Sequence, residues 1–177
     1  EKAIKWLGKA LASAPTRTDA RVLMIRLLKE QSRLDEAVKQ YELLIQNAKG
    51  QPQFVFELCD LWIGRGERAK CIGKLKGMEG QAATDPEVQQ RLALYYSQIG
   101  EDKLALGLME KLAGKNADDP SYIVDLGDYW YQRGNTSKAK EIWKRLVVVV
   151  KPKAKGFAAL GETYLDHDLG EEALEAY

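Results

Sequence analysis

Apolar and polar positions alternate along this chain with helical spacing, most clearly between Asp119 and Pro152, which read DPSYIVDLGDYWYQRGNTSKAKEIWKRLVVVVKP. Ile123, Leu126, Gly127 and Trp130 fall at i, i+3, i+4 and i+7, the stripe that one face of an α-helix presents. Ala139, Trp143 and Leu146 form a second such stripe beyond Gly134. A glycine between two amphipathic stripes marks the point where the first helix stops in a left-handed residue, so the segment reads as an antiparallel helical hairpin. Asp85-Pro86 and Asp119-Pro120 each place an N-cap carboxylate before a first-turn proline.

The hairpin repeats. Leu126, Gly127 and Trp130 align with Leu160, Gly161 and Tyr164 at an offset of 34, as do Ala139 and Trp143 with Ala173 and Tyr177. Stepping back by 34 gives Leu92, Ala93, Tyr96, Gly100 and Ala105, then Leu58, Cys59, Trp62, Gly66 and Cys71, then Met24, Ile25, Leu28, Ala37 and Tyr41. Ala3, Leu7 and Ala10 occupy the matching slots of a still earlier second helix, and Pro52, Pro86 and Pro120 keep the same spacing. The chain is therefore read as one domain: the second helix of a cut repeat (1–17), full repeats at 18–51, 52–85, 86–119 and 120–153, and a partial repeat at 154–177. Both ends fall inside a unit, which implies part of a longer array. Position 20 of each unit is alanine or cysteine, and position 8 is small in four of five units, so the two helices can approach closely while aromatics at 11 and 24 fill the flanks. Hairpins of this kind bury their apolar faces only by stacking on neighbours.

This pattern resembles the tetratricopeptide repeat (TPR) family, whose signature places Trp at 4, Leu at 7, Gly at 8, Tyr at 11, Ala at 20, a large apolar residue at 24, Ala at 27 and Pro at 32. The resemblance covers the whole chain and implies an all-α fold, a right-handed α-solenoid of helix-turn-helix hairpins. It departs at position 4, which is Arg21 or Gln89 in two units, and at position 32, where proline appears only as Pro15. The stretch AKEIWKRL is similar to the half-a-TPR motif of RNA-processing factors, but glycine at 8 and alanine at 20 favour the TPR reading.

In that family, positions 2, 5, 9, 12 and 13 of the first helix line a concave groove that holds a peptide. Carried onto this sequence, the groove residues are Arg26, Lys29, Phe56, Asp60, Ile63, Gln90, Arg91, Leu94, Asp128, Tyr131 and Glu162. Position 9 is acidic at Asp60, Asp128 and Glu162, so the expected ligand is a protein or peptide with basic and apolar anchors; the alternative is that these are ordinary solvated helix charges. The family's chaperone-tail clamp maps onto Val22, Arg26, Glu57, Glu87 and Arg91; only Arg91 fits, so no chaperone-tail binding is expected.

Charge adds a bound. With 27 basic and 26 acidic side chains the net charge is +1, which supplies no global field to recruit nucleic acid or an anionic membrane, and an acid-leaning groove is a poor RNA surface. No apolar run is long enough to span a bilayer and no secretory signal is evident, leaving the compartment open with the cytoplasm favoured. No nucleophile-base pair, phosphate-binding glycine loop or metal-ligand spacing is present, so neither catalysis nor a cofactor is expected. The alternative is a substrate-selecting region of a larger enzyme. The cut ends would expose apolar surface, so self-association through them is a further expectation.

Four local features complete the reading. Cys59 and Cys71, at the closest approach of two helices, read as buried thiols, with a cross-link as the alternative. Gly73, Gly77 and Gly80 in one helix make residues 69–84 the expected soft joint. Val147–Val150 reads as the buried last turn of a helix, and His167 as a C-terminal cap. Trp130 and Trp143 belong to the core while Asp128 and Tyr131 face away from it. Replacing Asp60 and Asp128 by alanine is expected to weaken partner binding and flatten its salt dependence, measured as affinity at two ionic strengths.

Overall fold

The structure is a computed structural model that describes residues 1–48, 51–82, 84–116 and 119–177; residue 83 of the expected soft joint lies outside them. Among the described residues all regular structure is helical: α1 (Lys2–Ser13), α2 (Thr18–Glu30), α3 (Leu34–Asn47), α4 (Gln53–Gly64), α5 (Arg68–Ala82), α6 (Pro86–Ile99), α7 (Asp102–Lys115), α8 (Ser121–Gln132), α9 (Thr136–Trp143), α10 (Leu146–Val149), α11 (Lys153–Leu165) and α12 (Gly170–Ala176). None of them is long and apolar enough to cross a membrane. The chain forms two compact units, Glu1–Val88 and Gln89–Tyr177, which divide within α6.

The turns carry the period in their backbone. Ser32, Gly66, Gly100, Gly134 and Asp168 all have positive φ, between 57° and 88°, and stand 34 residues apart. At each, the next residue's N–H reaches back five residues to a helical carbonyl: Arg33 to Leu28 at 2.9 Å, Glu67 to Trp62 at 2.8 Å, Glu101 to Tyr96 at 2.8 Å, Asn135 to Trp130 at 3.0 Å and Leu169 to Tyr164 at 2.9 Å. This is the Schellman closure, which satisfies carbonyls that a helix end otherwise leaves unpaired. Three of the five left-handed residues are the glycines expected from sequence; Ser32 and Asp168 do the same work with a Cβ. At the N-termini, Asp85 Oδ1 accepts from the N–H groups of Glu87 (3.1 Å) and Val88 (3.2 Å), and Asp119 Oδ1 accepts from the N–H of Ser121 at 3.0 Å.

In the first unit, α1 packs on α2, α2 on α3, α3 on α4 and α4 on α5. Its core includes Leu28, Ala37, Leu44, Phe56, Leu58, Cys59, Cys71 and Leu75. Arg21 fills the position 4 slot although charged: it is buried, and its guanidinium donates to Gln40 Oε1 (2.7 Å) and to the Pro15 carbonyl (2.6 Å). Cys59 and Cys71 are buried free thiols, with Cys71 Sγ 3.6 Å from the Cys59 carbonyl oxygen, and burial pushes both thiol pKa values up. They pack as small apolar groups.

In the second unit, α7 packs on α8, α8 on α9, α10 on α11 and α11 on α12. Trp143 is fully buried, as expected, but Trp130 is only half-buried, edge-on to Tyr129 at 5.7 Å. The valine run forms the short helix α10, separated from α9 by a tightened turn in which Arg145, Val147 and Val148 donate to carbonyls three residues back. Only Leu146 is buried there and Val148 is 71% exposed, so the last turn is less covered than expected. β-branched side chains restrict χ1 against the preceding turn, which disfavours continuing a regular α-helix through such a run.

A Cβ on Gly127 would lie 2.0 Å from Trp143 Nε1, whereas nothing lies within 4 Å of one on Gly73. Trp143 is fully buried and has no room to yield. Gly127→Ala is expected to destabilise the chain by about 1 to 3 kcal/mol through overpacking. Gly73→Ala, in the interior of α5, is expected to stabilise it by up to about 1 kcal/mol. Urea unfolding followed by circular dichroism reads both.

Candidate functional site

The crevice between two consecutive first helices and the second helix that separates them is seen in three settings, and its state differs in each. In the first unit it is formed by α2, α3 and α4 and opens into a cavity of about 340 Å³. Val22, Arg26 and Lys29 line it from one face of α2, with Ile25 beneath them, Tyr41 from α3 and Glu57 from α4. Arg26 and Lys29 are exposed and carry no hydrogen bond or ion pair among the described residues. Tyr41 donates from its hydroxyl to Glu57 Oε2 at 3.0 Å. Burial, and then the Glu57 carboxylate, push the Tyr41 phenol pKa well up, so it remains a donor. The cavity therefore offers an apolar floor, the cations Arg26 and Lys29, the carboxylate of Glu30 beside them, and the Glu57 carboxylate already engaged by Tyr41.

The same repeat positions, 68 residues further on, form a crevice between α6, α7 and α8 in the second unit: Gln90 stands where Val22 does, Leu94 where Arg26 does, Met109 where Tyr41 does and Asp125 where Glu57 does. This crevice holds only about 10 Å³, room for no more than a single water. Gln90 closes it by donating from Nε2 to Asp125 Oδ2. Burial raises the Asp125 pKa, a rise that the Gln90 hydrogen bond opposes.

Between α8, α9 and α11 the equivalent space is filled by aromatic rings. Asp128 and Tyr131 are half-buried around His167: its Nε2 is 3.2 Å from Asp128 Oδ1, its Nδ1 is 2.7 Å from the Thr163 carbonyl oxygen, and Tyr131 donates from its hydroxyl to the His167 carbonyl at 2.8 Å. The imidazole packs 4.5 Å from the Trp143 ring and 4.7 Å from that of Tyr131. The contact at Nδ1 is a C-terminal cap on α11. Asp128 Oδ1 has the distance of an ion pair but satisfies no hydrogen bond, and burial, the largest influence, raises the carboxyl pKa against the lowering effect of His167.

The remaining sequence-derived groove residues divide by exposure. Asp60, Arg91 and Glu162 are exposed, Leu94 is 51% exposed and Ile63 is half-buried. Phe56, expected at the groove surface, is instead fully buried. The reason is that α4 is apolar around much of its circumference, with Phe54, Val55, Phe56, Leu58, Cys59 and Trp62 all covered, and a helix of that kind sits inside its unit. The structure thus brings Arg26 and Lys29 together around one cavity, and Asp128 and Tyr131 together around His167. Tyr41 and Glu57 were missed as site residues because the position 24 aromatic reads as packing; its polar hydroxyl was the available signal.

No protein-family profile and no curated protein matches this sequence. Solved structures do resemble it. The MamA protein matches with a TM-score of 0.54 at 17% identity, over 90% of this chain and 87% of that one. YrrB, described as a TPR protein with an unusual peptide-binding site, matches with a TM-score of 0.52 at 15% identity, over 96% of this chain and 88% of its own. A TPR protein from Parabacteroides merdae matches with a TM-score of 0.55 at 13% identity, over 99% of this chain and 68% of its own. Together with the 34-residue period of the turns, these likenesses give the chain the fold of a TPR-like repeat protein.

The raised Asp125 pKa has a stability consequence with a definite sign. A carboxyl whose folded pKa lies above its unfolded value of about 3.9 contributes stability that is fully present below that value and is lost as pH rises through the folded pKa. Asp125→Asn keeps an acceptor for Gln90 and removes the charge. It is expected to raise the thermal midpoint at pH 7, with the gain over the parent chain shrinking as pH falls through the raised folded pKa and gone below the unfolded value of about 3.9.

Proposed function

We propose that this chain is a non-catalytic protein-interaction scaffold, built from repeats at 18–51, 52–85, 86–119, 120–153 and 154–177, that holds a peptide segment at the open crevice of its first unit. The observation that carries this reading is the cavity of about 340 Å³ in which Arg26 and Lys29, neither held in an ion pair, outnumber the one free carboxylate, Glu30, beside the apolar Val22 and Ile25. A concave site with an apolar floor and a few placed polar groups suits a side-chain anchor. An acidic residue of the ligand pairs with Arg26 and Lys29 while a neighbouring aliphatic residue covers Val22 and Ile25.

Asp60 lies one helical turn after Glu57 on α4, both exposed, so a basic ligand residue has its place on that side. Glu162 is exposed and open to the same role on α11, whereas Asp128 is taken up by His167. Alanine at Asp128 therefore disturbs packing as well as surface charge. The fold likeness supports the reading in kind, since YrrB is described as having a peptide-binding site.

Fluorescence-anisotropy titration with two hexapeptide pools, one of Asp, Glu and Leu and one of Lys, Arg and Leu, tests the site. The acidic pool is expected to bind the parent chain more tightly at low salt, and Arg26→Glu with Lys29→Glu is expected to cost at least tenfold in affinity, as loss of about 1.4 kcal/mol of charge-assisted contact would. Equal binding of the acidic pool to the parent and the doubly reversed chain would remove this cavity as the site.

A further inference from the structure

The cavity of the first unit lies inside the chain, not at an end of it. α2, α3 and α4 form it, with α1 packed on α2 and α5 packed on α4. Its charges are sorted by helix. Arg26 and Lys29 stand on α2, whose last residue is Glu30, and Glu57 stands on α4; all four are exposed. Val22 and Ile25 of α2 and Tyr41 of α3 supply the apolar lining.

Glu57 is held in a way that the other charges are not. Tyr41, only 2% exposed, donates to Oε2 at 3.0 Å, while Oε1 has no hydrogen bond or ion pair among the described residues. The phenol keeps its proton, because burial and then the Glu57 carboxylate push its pKa well up; Asp60, one turn further along α4, pushes it the same way, so two carboxylates bear on this corner. A neutral donor leaves the Glu57 carboxylate its charge and fixes one of its oxygens. Less side-chain freedom is then lost when the other oxygen meets a cation. In the closed crevice of the second unit Met109 stands where Tyr41 does and Gln90 takes the carboxylate of Asp125 from across the opening, so both the tyrosine and the room are missing there.

We infer that the partner segment carries both charges: an acidic residue for Arg26 and Lys29, an aliphatic stretch for Val22 and Ile25, and a basic residue for Oε1 of Glu57, with Tyr41 positioning that acceptor. Such a partner presupposes the peptide site proposed above and gives it a second anchor of opposite sign. Segments of one sign are selected against. A second acid on the ligand meets Glu57 as a like charge, and a base on the α2 side meets Arg26 and Lys29. Two residues between the acid and the base give an extended segment a reach of about 10 Å. That is the scale of the distance between packed helix axes, about 8 to 10 Å.

NMR titration of the whole chain with three tetrapeptides is the test: Ac-Glu-Leu-Leu-Arg-NH2, its citrulline counterpart, which keeps the shape but loses the charge, and Ac-Glu-Leu-Leu-Glu-NH2. The arginine peptide is expected to bind the parent chain about threefold tighter than the citrulline peptide and about tenfold tighter than the all-acidic one. Glu57→Gln keeps an acceptor for Tyr41 and is expected to abolish the preference for arginine over citrulline, leaving the affinity for the citrulline peptide within about twofold of the parent's. Tyr41→Phe keeps the ring and is expected to shrink the same preference. If it instead lowers the affinity of all three peptides alike, Tyr41 acts through packing and its positioning role is overturned. Arg26→Glu with Lys29→Glu separates the remaining outcomes. Should that variant lose affinity for every peptide while the parent binds the arginine and citrulline peptides equally, the cavity stands as a peptide site and the second anchor is overturned. Should it lose affinity for none, the site is overturned and the anchor with it.

Discussion

Everything in this molecule depends on how closely the two helices of a hairpin can approach. Ala37, Cys71, Ala105, Ala139 and Ala173 hold one slot of the second helices, and each is fully or almost fully buried. On four of the five opposing helices the facing slot is small as well, Ile25 being the exception, and at Gly127 the indole of Trp143 lies where a side chain would begin. The small residue and the large one are a single arrangement: without a Cβ on Gly127 the ring can enter, and its N–H then reaches the Val124 carbonyl at 3.3 Å. Once two helices are held this way, the chain must reverse within very few residues, which is why every hairpin ends its first helix on a left-handed residue with the same backbone closure.

The helical architecture was legible because these constraints act on residue types that announce themselves. A small residue every 34 positions, a glycine at the turn and a proline at the entry leave few alternatives. Ser32 and Asp168 were not legible as turn residues because the backbone closure can hold a non-glycine residue at φ 57°, which the hydrogen bond to Leu28 or Tyr164 helps to offset. Phe56 was misplaced for a different reason. Helical phase says which side a residue is on, but not how wide the covered arc of that helix is, and α4 is covered through Phe54, Val55 and Phe56 in succession.

The site was legible at the level of single positions and not at the level of pairs. Sequence phase placed Arg26 and Lys29 on one face, and the structure puts them around an open cavity. Phase could not show that Asp128 would spend its charge against His167, because that contact joins two different repeats through side-chain reach. Acidic residues at position 9 therefore do not make one uniform acidic surface. One is exposed on α4, one is half-buried against an imidazole, and one is exposed on α11.

The three versions of the same crevice show how a repeat fold acquires a particular site without changing its frame. The carboxylate at position 6 is present at Glu57 and Asp125, but Tyr41 satisfies the first from the second helix of the hairpin, along the wall, while Gln90 satisfies the second from across the opening. The first arrangement leaves about 340 Å³ and the second about 10 Å³. In the third, Trp143 and His167 occupy the volume outright. A hydrogen bond made along the wall keeps a crevice open, and one made across it closes the crevice. The difference rests on which neighbour carries the donor, a tyrosine at position 24 or a glutamine at position 5, and both substitutions are neutral to the helical period that builds the fold.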